Sequence, residues 1–183
     1  ESATKASNDP VVGAAVVITN ELRDRGVTVV GEPGRGLMPG ATPVIASITS
    51  QPLPAILAEM LTTSDNTSAE MLLKEIGHVR NAAGTREGGL AVVMQTLQSW
   101  GVPMEGIELF DGSGLSDDNR VTCAAMLAVL QHQSFDDAVG SGLPVAAQAG
   151  GTLAEAFDGT AMAGMLRAKT GTLYNYEIGR AHV

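Results

Sequence analysis

Apolar positions along this chain fall mainly at helical spacing, with short apolar runs that read as strands near both ends. Val11, Ala15, Ile18 and Leu22 share one face of a helix predicted over residues 9–25, with Asp9 as candidate N-cap ahead of Pro10. Gly26 ends that helix, and residues 27–30 read as a strand. Residues 31–36 are glycine-rich but match no phosphate loop and lead into no helix, so they read as a surface turn. Residues 44–49 form a second strand candidate. Leu53, Ile56, Leu57, Met60 and Leu61 then make a regular helix face.

The pattern breaks over residues 62–66 and restarts at once. Thr67 and Glu70 stand at capping-box spacing, and Ala69, Leu72, Leu73 and Ile76 form the next predicted buried face. Ser64-Asp65-Asn66 is thereby placed on a short turn between two core-packed helices, held from both sides and able to present polar groups to a cleft. Residues 78–85 read as a polar loop. Leu90, Val93, Met94 and Leu97 mark a helix ended by Gly101. Residues 107–110 read as a short strand, 111–120 as turns, and 122–131 as a helix. Gly150-Gly151-Thr152 precedes a short helical stretch through Phe157, and residues 165–169 read as a strand entering Thr170-Gly171-Thr172. No internal repeat or low-complexity linker interrupts the chain.

Composition narrows the classes. With 183 residues, 44% of them hydrophobic and 17% charged, the chain can build a globular core. Aromatics are only 3%, so that core must be aliphatic. A formal net charge of -9 without a basic stripe argues against nucleic acid. No apolar run is long enough to span a membrane. The chain begins with Glu rather than Met, so an upstream part, any signal peptide included, is expected to be missing. Cys123 is the single cysteine, and His78, His132 and His182 are scattered, so neither a disulfide nor a metal or other cofactor is expected. Cys123 falls at an apolar helix position and reads as core rather than nucleophile.

Taken singly, Ser64-Asp65-Asn66 and Lys169-Thr170-Gly171 are ordinary turn-forming triplets. Together and in this order they match two of the three elements S-x-x-K, S-D-N and K-T-G shared by class A β-lactamases and penicillin-binding proteins. Acyl transfer from a peptide requires a nucleophile, a proton relay to the leaving amine and oxyanion donors. Ser64 can relay a proton. Lys169 can polarise Ser64 and hold a substrate carboxylate, and Asn66 can fix a substrate carbonyl or the lysine. Thr170 offers a hydroxyl, Gly171 permits close backbone approach, and the Thr172 N–H is a candidate oxyanion donor.

Further strings sharpen the resemblance. Asp111-Gly112-Ser113-Gly114-Leu115-Ser116-Asp117-Asp118-Asn119-Arg120 resembles the D-G-S-G-L-S-x-x-N-R stretch of the S13 family of PBP4-type D-Ala-D-Ala carboxypeptidases and endopeptidases. Leu61-Thr62-Thr63-Ser64-Asp65-Asn66 with Ala69-Glu70, and Gly150-Gly151-Thr152-Leu153 ahead of Arg167-Ala168-Lys169-Thr170-Gly171, are similar to the same family. The resemblance runs from about Pro10 to about Thr172. It implies an α/β (α+β) penicillin-binding transpeptidase/β-lactamase-like fold, an antiparallel sheet with a helical cluster, incomplete here. It further implies serine-type, penicillin-sensitive hydrolysis of peptidoglycan stem peptides outside the cytoplasm, with β-lactams as inhibitors.

One S-x-x-K string exists, Ser2-Ala3-Thr4-Lys5. Its spacing to Ser64, roughly sixty residues, suits a class A-like β-lactamase using Ser2 and Lys5. Against this, the string runs into polar Ala6-Ser7-Asn8-Asp9 and then Pro10 instead of opening an apolar helix, and it lies at the end of the chain. No carboxylate-bearing loop of the E-x-x-L-N kind follows Ser64-Asp65-Asn66 either. The favoured reading places the nucleophile upstream of residue 1 and makes this chain inactive alone. A non-catalytic cell-wall-binding relative is the reading from another class. Residues 1–176 are read as a partial transpeptidase-like domain. Residues 177–183 resemble a translated sequencing adapter and are read as a non-native tail, with a divergent natural tail as the alternative.

Overall fold

The computed structural model describes residues 9–37, 39, 40, 42–44, 46–172, 181 and 182. Ser2, Lys5 and most of 177–183 lie outside the described residues. Contacts divide the chain into two units, residues 1–49 and residues 50–183.

In the first unit, α1 spans Pro10–Asp24. Asp9 caps it by accepting from the Val12 N–H at 3.2 Å, and Pro10 stands where no N–H is required. Arg35 returns to the same cap and pairs with both Asp9 carboxylate oxygens at 2.8 and 3.1 Å. The predicted apolar face is present but uncovered within this unit: Val11, Ile18 and Leu22 are exposed, and Thr19 is the one buried residue among those described. Neither predicted strand forms among the described residues. Val30 is 93% and Ile48 97% exposed, with no neighbouring strand to complete a ladder, and an unpaired apolar run has nothing to hold it extended. Ile45 lies outside the described residues.

The second unit contains α2 (Leu53–Thr63), α3 (Asn66–Asn81), α4 (Arg86–Ser99), α5 (Cys123–His132) and α6 (Ala138–Gly142). It also holds an antiparallel pair, β1 (Ala168–Lys169) with β2 (Ala181–His182), in which Ala168 faces His182 and Lys169 faces Ala181. The α3 helix takes in the first four residues of the expected 78–85 loop. Its last turn carries His78 and Arg80, favoured by the helix dipole, and its backbone lies hard against α4. A Cβ at Gly89 would come 2.1 Å from the Leu73 carbonyl oxygen, so these helices meet backbone to backbone.

The core is aliphatic, as the composition requires. Val102, Ile107 and Ala125 pack with Met94, Leu97, Met104, Leu109, Ala128 and Val129 between α4 and α5. Leu143, Pro144, Ala146, Leu153 and Ala168 form a second buried set around β1. Cys123 is exposed, contrary to its expected burial: Thr122 caps α5, so Cys123 is the first helical residue and the inward position falls to Ala125. Residues 150–157 are turns and not a helix, with Gly150 and Phe157 at positive φ. Residues 107–110 supply one bridge, Glu108 to Arg120, and the 165–169 strand contracts to β1 plus a bridge from Arg167 to Val145. Among the described residues no helix is long and apolar enough to cross a membrane.

Candidate active site

Ser64 closes α2 in the left-handed conformation, at φ 59° and ψ 47°. A non-glycine residue there costs about 1–2 kcal/mol, so the turn must be held by its surroundings. It is held from both sides. The Asp65 N–H bonds back to the Met60 carbonyl at 3.1 Å. The Asp65 carboxylate caps α3, accepting from the Thr67 N–H at 3.0 Å, the Ser68 N–H at 3.3 Å and the Ser68 hydroxyl at 2.6 Å. The Ser68 hydroxyl, followed by the two backbone donors, outweighs desolvation and holds this carboxyl below the usual aspartate value. Asp65, not Thr67, is therefore the cap, and the expected Thr67–Glu70 capping box does not form. Asn66 is the first residue of α3 and is exposed.

The opposing wall is β1. The Ala168 N–H bonds to the Pro144 carbonyl at 3.1 Å, and the Ala146 N–H to the Leu166 carbonyl at 2.9 Å. Arg167 stacks its guanidinium 4.0 Å over the Phe135 ring and donates to the Phe135 and Gly140 carbonyls at 2.8 and 3.0 Å. Anchored this way, β1 directs Lys169 at the Ser64 turn. The Lys169 ammonium donates to Ser64 Oγ at 2.7 Å and to the Thr170 carbonyl at 2.6 Å. An ammonium has three donors, so one is left for an incoming acceptor. Partial burial pulls the Lys169 pKa below the ordinary lysine value, which brings its proton within easier reach of exchange. Thr170 Oγ1 donates to Thr152 Oγ1 at 2.8 Å; Gly171 is half-buried and Thr172 exposed.

The two walls are joined by α2 on α6. Thr62 Oγ1 donates to the Gly142 carbonyl at 2.9 Å, and a Cβ at Gly142 would lie 2.7 Å from the Ala58 Cα. Of the residues singled out from sequence, Ser64, Lys169 and Thr170 are brought together. Asn66 makes no side-chain hydrogen bond to them among the described residues, and Ser2 and Lys5 lie outside those residues.

The structure gives partners to two residues that the sequence placed only within family-like strings. Thr152 is one, through its bond to Thr170. Glu70 is the other: its Oε1 accepts from the Gly112 N–H at 2.9 Å, the Ser113 N–H at 3.1 Å and the Ser113 hydroxyl at 3.0 Å, while Oε2 meets Arg86 Nε at 3.1 Å. Desolvation raises its pKa, but the Gly112, Ser113 and Arg86 donors together lower it more. Glu70 thereby clamps the D-G-S-G-L-S block onto α3, one turn beyond Asn66. Within that block Asp111 accepts from the Gly114 and Ser116 N–H groups at 2.7 and 2.6 Å and from the Asn119 amide at 2.9 Å. The block is a self-bonded loop docked on the helix that carries Asn66. Glu70 was visible as part of a family-like string, but nothing local to it marks a partner more than forty positions away.

The model of the D-Ala-D-Ala carboxypeptidase 3 (S13) family matches residues 1–177. The D-alanyl-D-alanine carboxypeptidase of Actinomadura sp. (strain R39) is 37% identical over 94% of this chain and 34% of its own length. The carboxypeptidase DacB of Mycolicibacterium smegmatis is 32% identical over 93% of this chain and 38% of its own. The crystal structure of penicillin binding protein 4 (dacB) from Haemophilus influenzae, complexed with a β-lactam, superposes with a TM-score of 0.74 at 28% identity, covering 92% of this chain and 40% of that one. The chain thus spans about a third of the length of the relatives it matches, and its mixed helical architecture with few strands is an incomplete form of their α/β fold. Family match, relatives and superposition all converge on one assignment: the chain belongs to the D-Ala-D-Ala carboxypeptidase 3 (S13) family.

Proposed function

We propose that the protein carrying this chain is a serine-type D-Ala-D-Ala carboxypeptidase or endopeptidase that cleaves peptidoglycan stem peptides outside the cytoplasm and is inhibited by β-lactams. The observation that carries the reading is the 2.7 Å bond from Lys169 to Ser64, which joins two of the three signature elements. In the proposed reaction a serine outside the described residues attacks the carbonyl of the penultimate D-Ala. Ser64, polarised by Lys169, passes its proton to the departing amine and takes up in its place the proton the nucleophile releases, and the terminal D-Ala leaves. Water then attacks the acyl-serine, and the nucleophile regains its proton. Asn66 orients the substrate amide from the head of α3. The third donor of Lys169 and the Thr170 hydroxyl receive the terminal carboxylate, Gly171 lets the substrate strand lie close, and the Thr172 N–H faces the developing oxyanion.

The test compares two samples with a D-Ala-D-Ala-terminated pentapeptide: the protein carrying this chain at its natural length, and these 183 residues alone. The natural-length protein releases D-Ala and the isolated chain does not. Absence of D-Ala release from the former sinks the proposal. A penicillin adduct on Ser2 of the isolated chain would instead place the nucleophile there.

A further inference from the structure

Thr152 Oγ1 and Thr170 Oγ1 stand 2.8 Å apart, 18 positions from one another in sequence and on different segments. What makes this contact more than a surface hydroxyl pair is how firmly Thr152 is bracketed. On one side is Gly151. A Cβ there would lie 3.1 Å from the Pro144 Cβ and 3.3 Å from the Thr62 Cγ2, so this backbone is wedged between the segment that pairs with β1 and the last turn of α2. On the other side Leu153 is 2% exposed, and its carbonyl accepts from the Ala147 N–H at 3.0 Å. Thr62 itself donates to the Gly142 carbonyl at 2.9 Å. Thr152 is itself exposed, but its two neighbours hold its backbone against α2 and the segment paired with β1, and from there its hydroxyl reaches the hydroxyl beside Lys169.

A threonine hydroxyl has one proton and two lone pairs, and its proton turns to whichever acceptor is best placed. When Thr152 donates to Thr170, one lone pair of Thr170 is occupied and its own proton is released toward an anion in the cleft. At 2.8 Å the two hydroxyls can share their proton in either sense, Thr170 donating to Thr152 or the reverse. The Lys169 ammonium already spends two donors on Ser64 and the Thr170 carbonyl, so an incoming carboxylate needs a second, neutral donor to fill its lone pairs.

We infer that Thr152 is a positioning residue that orients the Thr170 hydroxyl to donate to the substrate's terminal carboxylate. The inference rests on the function proposed above. Because Thr152 touches neither the scissile bond nor the relay, it acts on substrate binding in ground and transition state alike. Its removal raises KM and leaves kcat nearly unchanged.

The experiment measures kcat and KM for D-Ala release by the natural-length protein and its Thr152→Val and Thr152→Ser variants, together with thermal melting of each. Thr152→Val, which keeps the shape and removes the hydroxyl, is expected to raise KM about tenfold with kcat within about twofold, the size of one lost hydrogen bond. Thr152→Ser, which restores the hydroxyl, is expected to return KM to within about twofold of the unsubstituted value. An unchanged KM in Thr152→Val overturns the inference. So does an equal loss in both variants, since Thr152→Ser keeps the hydroxyl and its failure to rescue would tie the effect to side-chain shape and not to the hydrogen bond. Absence of turnover in the unsubstituted protein is a different failure: it removes the proposed function, and this inference with it.

Discussion

Replacing Glu70 with alanine removes the acceptor for the Gly112 N–H, the Ser113 N–H and the Ser113 hydroxyl, and with it the partner of Arg86. These losses differ in weight. The Arg86 side chain is 49% exposed against 18% for Glu70, so the ion pair is screened by solvent and is worth about 0–1 kcal/mol. The loop donors bond to a charged, largely buried acceptor, where each such bond contributes about 1.5–3 kcal/mol before allowing for water that can enter the vacated space. A total loss of about 2–4 kcal/mol is therefore expected for Glu70→Ala, against less than about 1 kcal/mol for Arg86→Ala. Glu70→Gln keeps one carbonyl acceptor and should fall between them. The pH sign follows from the lowered pKa of Glu70 in the folded protein. Its stabilisation is complete above the ordinary glutamate value and is lost as pH falls through the lower folded value, a loss that Glu70→Gln should not show. Urea denaturation of the natural-length protein at neutral and acidic pH measures these differences as midpoint shifts at constant slope. Equal destabilisation by Glu70→Ala and Arg86→Ala would refute the argument, because the ion pair and not the loop clamp would then dominate.

Other consequences can be checked on the same material. Asp65→Ala removes the α3 cap and should cost about 1 kcal/mol in urea denaturation, while Thr67→Ala, the cap expected from sequence, should cost only a few tenths. Gly142→Ala forces a Cβ within 2.7 Å of the Ala58 Cα, and the resulting shift of α2 against α6 should destabilise by about 1–3 kcal/mol on thermal melting. Cys123, exposed at the start of α5, should react stoichiometrically with a water-soluble thiol reagent without denaturant; reaction only after unfolding would contradict its placement.

The helices were legible in the sequence because a helix closes its hydrogen bonds within one segment, and the periodic apolar positions of α1 to α5 report it directly. Strands were less legible for the converse reason. Residues 27–30 and 44–49 have strand-like apolar runs, yet no described strand pairs with them, whereas Ala168-Lys169 is a strand because Ala181-His182 lies beside it. The short α6 went unread, its clearest mark being the Asp137 cap, whose carboxylate accepts from the Val139 and Gly140 N–H groups. Cys123 was misplaced by two positions: the inward residue of α5 is Ala125, and two residues on a helix turn a side chain by about 200°. At the site, Ser64 and Lys169 were found through the spaced triplets they belong to. Glu70 and Thr152 were not, because each acts through a partner distant in sequence that no local pattern specifies.

The Lys169–Ser64 coupling is the central claim, and the rate of penicillin acylation tests it most directly. Intact-mass spectrometry of the natural-length protein should show one added penicillin, and Lys169→Ala should slow its appearance about a hundredfold, the scale of one positioned proton-transfer group. Acylation of Lys169→Ala at the unsubstituted rate, or no adduct on the unsubstituted protein, would contradict it.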